Sequence, residues 1–384
     1  MIEGTNTCCW LTPFSFPNLT SPDILKISTG MNQGSPHFSF PIFFVFRVLL
    51  FLFTYIASTI LHAQDLKFNQ ILNGDNNTDF VLSIGQDKYG FIWLSRQLSG
   101  IQRYDGRELK SYQNDPGNSN SPASNYIEAF IIDADNIFWL GTIDKGLDRF
   151  DPATNTFKHY RHNEKDELSI VSDRINILFA DRAGNIWIGT NSGLDMLDKK
   201  TGRFTHYVHK PQDKESLSHN VVRAIYEDRA GTIWIGCGQP FTYQGQDPEE
   251  GGLNRLNKVT GKFTRYMHDD AEPASIADNK VRAIFEDSKG NFWVGTRGDG
   301  LHIMDREKGT FKHYYYDAKH PERLSRPPQL FGNGIFYADH ISFITEDATG
   351  RILIGAFNQG INYFNPVDST IKHYGLIFND AVKL

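Results

Sequence analysis

The chain has 384 residues, of which 40% are hydrophobic and 13% aromatic, enough apolar material for a packed globular core. Its formal charge is -6, and acidic and basic residues are interleaved along the sequence, so there is no basic stripe of the kind that binds duplex DNA or RNA. We therefore expect no nucleic-acid partner.

The first 63 residues differ in composition from the rest of the chain and resemble a leader. Residues 38–61 are almost wholly apolar, and their uninterrupted core begins at Val48, directly after Arg47. A core of this length fits the apolar region of a signal peptide better than a membrane span, and an imperfect cleavage site follows it. We predict export to the periplasm through a signal peptide. An uncleaved anchor is the alternative, and both place residues 64–384 outside the cytoplasm.

The extreme N-terminus and the cysteines add two expectations. Residues 1–30 fit neither a leader nor a domain, which makes Met31 a candidate for the true start. Cys8 and Cys9 precede the leader core, so Cys237 is the one cysteine of the mature chain and has no partner for an intramolecular disulfide. Cys237 stands where other repeats carry threonine, and we interpret it as a small packed side chain instead of a nucleophile.

A seven-residue phrase recurs along the rest of the chain. Its clearest copy is 184–190, Gly-Asn-Ile-Trp-Ile-Gly-Thr, with a Gly-Leu pair shortly after it. The tryptophans and glycines of the copies are Trp93, Trp139, Trp187, Trp234 and Trp293, with Gly141, Gly189, Gly236, Gly295 and Gly355. The tryptophans recur at intervals of 46 to 59 residues, and such recurrence indicates a repeat architecture.

Each repeat predicts four short strands joined by tight turns. An apolar, β-branched run such as 221–226 suits a buried first strand, and the tryptophan phrase forms the second. A Gly-Leu or Gly-Ile pair opens the third strand, and a Phe-x-x-Tyr phrase forms the fourth. An aspartate after the first strand starts each hairpin, and we expect it to hold that turn. These aspartates are Asp87, Asp133, Asp181, Asp228, Asp287 and Asp347.

Four-stranded units of about 40 to 50 residues are typical of β-propeller blades. The sequence therefore predicts an all-β fold over residues 64–384, a β-propeller of four-stranded antiparallel blades in which each tryptophan packs between neighbouring blades. The predicted blades cover residues 79–112, 125–160, 173–207, 220–266, 279–314 and 339–374.

A lone strand precedes the first blade. Residues 66–71 have the pattern of a strand but no partner in their own repeat, and a propeller closes its ring when such a strand completes the last sheet. From six blades and one orphan N-terminal strand, we predict a truncated seven-bladed ring that leaves strand edges exposed.

Two insertions break the regular spacing. Residues 238–251 lengthen the loop between the second and third strands of the fourth unit, and residues 315–338 lengthen the connection before the sixth. Loops of both kinds leave an antiparallel blade at the same end, so both insertions should lie on one rim. We expect function at this rim, where the repeats disagree.

The segment from Asp181 to Leu194 (Asp-x-x-Gly-Asn-Ile-Trp-Ile-Gly-Thr-x-x-Gly-Leu), with Phe204-x-x-Tyr207 behind it, resembles the two-component regulator propeller repeat. That repeat occurs in the periplasmic sensor region of hybrid histidine kinases of Bacteroidetes, and the resemblance covers roughly residues 66–374. It implies an extracytoplasmic sensor, often for oligosaccharides released from complex glycans. In the usual layout a second propeller, an immunoglobulin-like domain, a membrane span and a kinase core follow, and none of these is recognisable in this sequence. We expect a sensor homodimer in that full-length context.

Catalytic and metal chemistry has no motif in this sequence. Four histidines share one repeat position in separate blades, too far apart to bind one zinc ion: His159, His206, His313 and His373. The repeat aspartates are equally dispersed, no Ser/His/Asp or Cys/His set converges, and every glycine cluster is a hairpin turn instead of a phosphate-binding loop. We therefore expect no cofactor, no metal and no enzymatic activity.

A variable position on the first strand of each repeat is the best candidate for ligand contact, because such residues would line the propeller axis. In chain order this position carries Leu82, Glu128, Asn176, Arg223, Arg282 and Ser342. The loop candidates are aromatic, for stacking on a sugar ring, or polar, for orienting it: Phe241, Tyr243, Phe336, Tyr337, Arg297 and Asp299. Arg223 and Arg282, on adjacent first strands, form the best pair for an anionic sugar.

The sequence thus predicts a periplasmic ligand-sensing propeller of a two-component system, with a small carbohydrate as its ligand. It predicts membrane contact only through an uncleaved leader or a C-terminal region outside this sequence. Two alternatives stay open. A propeller lyase or hydrolase of the streptogramin-lyase type would need two or more His or Glu side chains within hydrogen-bonding reach in the central channel. A protein-interaction scaffold would present a broad apolar patch on its rim.

Overall fold

The computed structural model describes residues 80–239, 251–297, 300–314, 341–356, 360–368 and 370–374, all within one compact unit of the chain. These residues form 24 strands and no helix. Within the same ranges, no helix is long and apolar enough to cross a membrane. The predicted leader, the orphan strand at 66–71 and most of both insertions lie outside the described residues.

The strands form six four-stranded sheets, and in each sheet antiparallel neighbours follow one another in chain order. Blade 1 contains β1 (Val81–Gln86), β2 (Ile92–Arg96), β3 (Gly100–Tyr104) and β4 (Leu109–Tyr112). Blade 2 contains β5 (Ile127–Ile132), β6 (Phe138–Thr142), β7 (Leu147–Asp151) and β8 (Thr156–Tyr160). Blade 3 contains β9 (Ile175–Ala180), β10 (Ile186–Thr190), β11 (Leu194–Asp198) and β12 (Arg203–Tyr207).

Blade 4 contains β13 (Val222–Glu227), β14 (Ile233–Gly238), β15 (Gly251–Asn257) and β16 (Lys262–Tyr266). Blade 5 contains β17 (Val281–Glu286), β18 (Phe292–Thr296), β19 (Leu301–Asp305) and β20 (Thr310–Tyr314). Blade 6 contains β21 (Ile341–Glu346), β22 (Ile352–Ala356), β23 (Gly360–Asn365) and β24 (Thr370–Tyr374). The first strands β1, β5, β9, β13, β17 and β21 contact one another in that order around an axis. The described residues form a β-propeller of six four-stranded blades, which confirms the predicted fold class.

The core lies between the blades, as the sequence predicts. Trp187 of blade 3 packs against Val222 and Ile225 on the first strand of blade 4, and each tryptophan forms a corresponding cluster with the following blade. The phrase glycine makes this close approach possible, because a Cβ atom added to Gly189 would lie 2.7 Å from the Val222 side chain. Any larger residue there would push the two blades apart.

Each tryptophan is fixed by the aspartate of its own blade. Trp187 Nε1 donates a hydrogen bond to Asp181 Oδ2 at 2.9 Å, while Asp181 Oδ1 accepts from the Asn185 backbone N–H at 2.8 Å. The same indole–carboxylate bond recurs at 2.8 to 2.9 Å in blades 1, 2, 4 and 5. Blade 6 has no tryptophan at this position, and Tyr363 Oη donates to Asp347 at 2.7 Å instead. The turn aspartate therefore holds its turn, as predicted, and also satisfies a buried donor.

We predict that Asp181→Ala lowers the free energy of unfolding by about 3 kcal/mol, because it leaves the Trp187 N–H buried without an acceptor and removes the support of the turn. Urea unfolding followed by tryptophan fluorescence would measure this loss. Asp198→Ala is the matched control, since Asp198 also supports a turn of blade 3 but does so at the surface. Equal losses in the two variants would contradict a special role for the indole bond.

A second set of contacts links neighbouring blades on the face that carries the tight turns, called here the tight-turn face. The backbone N–H after the turn aspartate of one blade donates to a side chain of the next blade. Arg182 donates to Glu227 at 2.8 Å, Arg229 donates to Glu286 at 2.7 Å, and the Ser288 N–H donates to Glu346 at 2.7 Å. These bonds all run in the same direction around the ring.

The outward faces of blades 1 and 6 are exposed. Val81 and Ile84 on β1 are 48% and 68% exposed, whereas Val222 and Ile225 at the same positions of β13 are 0% and 8% exposed. Phe343 on β21 is 43% exposed and lies over Gly355, where other blades have a side chain of the following blade. Among the described residues, no apolar cluster joins blade 6 to blade 1. The orphan strand on which the prediction of a seven-bladed ring rests lies outside the described residues, so that prediction stays untested.

We predict that Ile84→Ala changes the free energy of unfolding by about 0.5 kcal/mol or less, because its side chain faces solvent. Ile225→Ala, the same change at the equivalent buried position, should cost about 2 to 5 kcal/mol. Chemical denaturation of both variants would test this pair. A cost at Ile84 as large as that at Ile225 would mean that the face of blade 1 is covered in solution.

Candidate functional site

The variable position of the first strand is a β-bulge. In every blade the pairing between the first and second strands shifts register at the second residue of the first strand. The residues at these bulges are Leu82, Glu128, Asn176, Arg223, Arg282 and Ser342. Because a bulge inserts one extra residue, it re-aims a side chain without disturbing the packed residues on either side. Each blade therefore has one first-strand position that stands outside the regular pairing with the second strand.

The bulges lie at the loop-rich face, defined as the end of the blades that carries the blade-to-blade connections. The loop between the second and third strands reaches the same end, since the Ile143 N–H donates to the Tyr126 carbonyl and the Asn191 N–H donates to the Arg174 carbonyl, both at 3.2 Å. In the described blades the two kinds of loop therefore do emerge together. The tight-turn face lies at the opposite end.

Charged side chains from three blades meet at the axis. Arg223 Nη1 of blade 4 lies 4.0 Å from Glu128 Oε1 of blade 2, so this pair reaches across blade 3. The Arg223 side chain is 8% exposed and that of Glu128 is 28% exposed. Burial, with a smaller contribution from the Arg282 charge, lowers the pKa of Arg223 from 12.5 to about 10. Burial also lowers the pKa of Arg282 to about 10, while Glu128 opposes that shift.

The other predicted contact residues have varied positions. Asn176 is committed to structure, because its amide nitrogen donates to Asn191 Oδ1 at 2.9 Å and to the Val222 carbonyl at 3.1 Å. Arg297 is buried at 7% exposure directly after β18, and its backbone N–H donates to the Lys280 carbonyl. The remaining predicted loop residues lie outside the described ranges: Phe241, Tyr243, Asp299, Phe336 and Tyr337.

The repeated histidines belong to a polar pair that the sequence did not reveal. His159 Nδ1 donates to Asp148 Oδ1 at 2.6 Å, and Nε2 donates to the Ser119 carbonyl at 2.9 Å. The other oxygen of Asp148 accepts from the Ala123 N–H at 2.7 Å, so the pair fastens the blade connection to the sheet. The hydrogen bond to Asp148 raises the pKa of His159 above 6.5. His206 and Asp195 repeat this arrangement in blade 3.

Blade 5 replaces this carboxylate with His302. His302 Nδ1 donates to the Val294 carbonyl at 3.1 Å, and Nε2 accepts from the Ala277 N–H at 3.3 Å, which is the pattern of a neutral imidazole. His302 is fully buried next to His313. Burial, followed by the effect of His313, lowers the pKa of His302 from 6.5 to about 3. Its neutral form is therefore part of the folded structure.

Cys237 is fully buried, and burial raises the pKa of its thiol to about 12. A thiolate is therefore suppressed at neutral pH. Within the described ranges, no three His, Cys, Asp or Glu residues are arranged to hold a metal ion.

The fold and the axial charges define a repeat-built β-propeller with a polar site at its loop-rich end. Three segments of the chain match the model of the two-component regulator propeller family: residues 169–192, 216–239 and 275–298. These three segments therefore carry the repeat of that family.

Relatives of known sequence and structure resemble the chain over its blades. Histidine kinase P4 of Formosa agariphila is 30% identical over 273 residues, which are 67% of this chain and 15% of that protein. The extracellular domain of a proposed hybrid two-component system from B. thetaiotaomicron superposes with a TM-score of 0.55 at 22% identity, over 75% of this chain and 40% of that one. Virginiamycin B lyase from Staphylococcus aureus superposes with a TM-score of 0.54 at 12% identity, over 79% of this chain and 86% of that one. At such identities the two structural likenesses show the fold alone.

We predict that acid destabilises blade 5 through His302. Because its folded-state pKa lies below 6.5, the unfolded chain takes up the proton first, and the stability present above pH 6.5 is lost as the pH falls toward 3. The loss should approach about 1.4 kcal/mol per pH unit. His302→Asn introduces the residue that blades 4 and 6 carry and should remove this slope.

Denaturant unfolding of the wild type and of His302→Asn at pH 7.5 and pH 5.0 would isolate this contribution from that of the other histidines. A wild type and variant that lose equal stability between these two pH values would show that His302 is not the cause.

Proposed function

We propose that this chain is the extracytoplasmic ligand-sensing propeller of a two-component regulatory system of the hybrid histidine kinase type. The observation that carries the proposal is the match of three of its repeats to the two-component regulator propeller. The similarity to a histidine kinase, which extends over 67% of the chain, supports it further. The chain covers 15% of that relative, so the kinase output would belong to regions beyond this sequence.

We propose an oligosaccharide derived from a complex glycan as the ligand, bound at the loop-rich face by the bulge residues. Glu128 and Arg223 offer charged hydrogen-bonding groups at the axis, and Phe241, Tyr243 and Tyr337 are candidates for stacking on sugar rings. In a paired full-length sensor, binding would favour one relative placement of the partners over another. A ligand signals only when its affinity for the two arrangements differs.

The catalytic alternative has weaker support. A lyase would need two acid–base side chains in reach of each other at the axis. The six bulge positions carry one carboxylate, Glu128, and no histidine, and Glu128 lies 4.0 Å from an arginine, Arg223. We therefore propose binding without turnover.

Isothermal titration calorimetry of the full chain against a panel of neutral and acidic oligosaccharides would test the sensor proposal. We expect saturable binding of one member of the panel. A neutral member should bind Glu128→Ala about tenfold more weakly, because a hydrogen bond to a charged group is lost, whereas an acidic member should bind this variant more tightly, because the carboxylate no longer opposes its charge. Tyr89→Ala is the control, since Tyr89 is exposed on the tight-turn face. Its affinity should equal that of the wild type.

An absence of binding across the whole panel would contradict the glycan ligand. Binding that Glu128→Ala leaves unchanged would place the ligand site away from the axis.

A further inference from the structure

Two arginines of adjacent blades occupy bulges at the axis. Arg223 and Arg282 are the second residues of β13 and β17, and these two strands contact each other. The Nε atoms of both guanidinium groups are buried. The charge of Arg282 acts unfavourably on that of Arg223, and burial adds to the cost because water no longer screens like charges.

Arg223 is the less well satisfied of the charges at the axis. Its Nε has no hydrogen-bond partner among the described residues, and only 8% of its side chain is exposed. Glu128 is 4.0 Å away, which is longer than a hydrogen bond, and its side chain is still partly in water. The positive charges of Arg282 and Arg174 also act on Arg223 and oppose the single negative charge of Glu128.

The guanidinium group indicates which chemistry would satisfy this site. Its planar fork of N–H donors pairs with two oxygens of one anion, as in carboxylate and sulfate groups. A neutral hydroxyl would supply an acceptor for Nε but no charge. An oxyanion would supply both an acceptor and a negative charge, and it would also offset the repulsion between the two arginine charges.

We propose that the axial site binds an oxyanion, the carboxylate or sulfate group of an acidic sugar, between Arg223 and Arg282. This inference names the chemical class of the ligand in the proposed function. It rests on that proposal only in assuming that the anionic group belongs to a sugar. Anion binding itself depends only on the axial arginines.

The test uses the full chain and three probes: glucuronate, its neutral counterpart glucose, and inorganic sulfate. Calorimetry at low ionic strength should detect glucuronate and sulfate but not glucose. Arg223→Gln should weaken both anions at least about tenfold, since a charge-assisted hydrogen bond is lost. Arg223→Lys keeps the positive charge but loses the planar pair of N–H donors. It should therefore lower the affinity for glucuronate less than Arg223→Gln does.

Arg306→Gln is the matched control on the tight-turn face, where Arg306 is paired with Asp228 at 3.0 Å and Glu286 at 2.7 Å. It should leave anion affinity unchanged and lower the melting temperature. Arg223→Gln should do the opposite: in buffer without either anion its melting temperature should equal or exceed that of the wild type. A fall as large as that of Arg306→Gln would identify Arg223 as a structural ion pair and overturn the proposal.

The outcomes separate the two proposals. If neutral oligosaccharides bind and neither glucuronate nor sulfate does, the oxyanion site is wrong and the sensor proposal stands. If both anions bind through Arg223 and no oligosaccharide binds, the anion site stands and the glycan ligand is wrong. Anion binding that Arg223→Gln leaves intact would also overturn the axial site.

Discussion

The hydrogen bond from tryptophan to the turn aspartate is the contact on which each blade depends. A tryptophan buried between two blades contributes a large apolar area, but its N–H must find an acceptor there. Asp181 provides that acceptor and supports the hairpin turn with its second oxygen. One side chain therefore couples the geometry of a turn to the packing of an interface. In blade 6, Tyr363 and Asp347 preserve the coupling after the tryptophan is lost.

The sequence was sufficient to predict the blades and their order, because the tryptophan phrase and the strand patterns recur with regular spacing. It was not sufficient to predict the polar pairs. Asp148 and His159 lie on different strands, and only the register of β7 against β8 brings them face to face. The indole–carboxylate bond could not be predicted from the sequence either. An aspartate before a turn is already explained by its hydrogen bonds to the turn backbone, so the sequence pattern does not indicate that it also accepts from the tryptophan.

The candidate site was partly predictable. Variation at the second position of the first strand marked Glu128, Asn176, Arg223 and Arg282, but the bulge that frees this position leaves no trace in the hydrophobic pattern. The sequence also could not distinguish the roles of Asn176 and Arg223. The Asn176 amide donates a hydrogen bond that joins blades 3 and 4, whereas the Arg223 Nε has no hydrogen-bond partner among the described residues. Those differences depend on distances between blades, which no single repeat encodes.

On the tight-turn face, the backbone N–H groups after the turn aspartates of blades 3, 4 and 5 donate to the following blade. The side chains of Lys199 and Arg306 donate to the preceding blade, so neighbouring blades are linked in both directions. A row of such units behaves as a one-dimensional array, in which stability is a sum of unit and neighbour terms. Blades 3 and 4 are held from both sides, whereas the face of blade 1 that bears Ile84 meets solvent. The described blades are therefore not all equally buried by their neighbours. The blades that carry Glu128, Arg223 and Arg282 each contact a described blade on both sides, so the axial site is framed by blades that are packed on two faces.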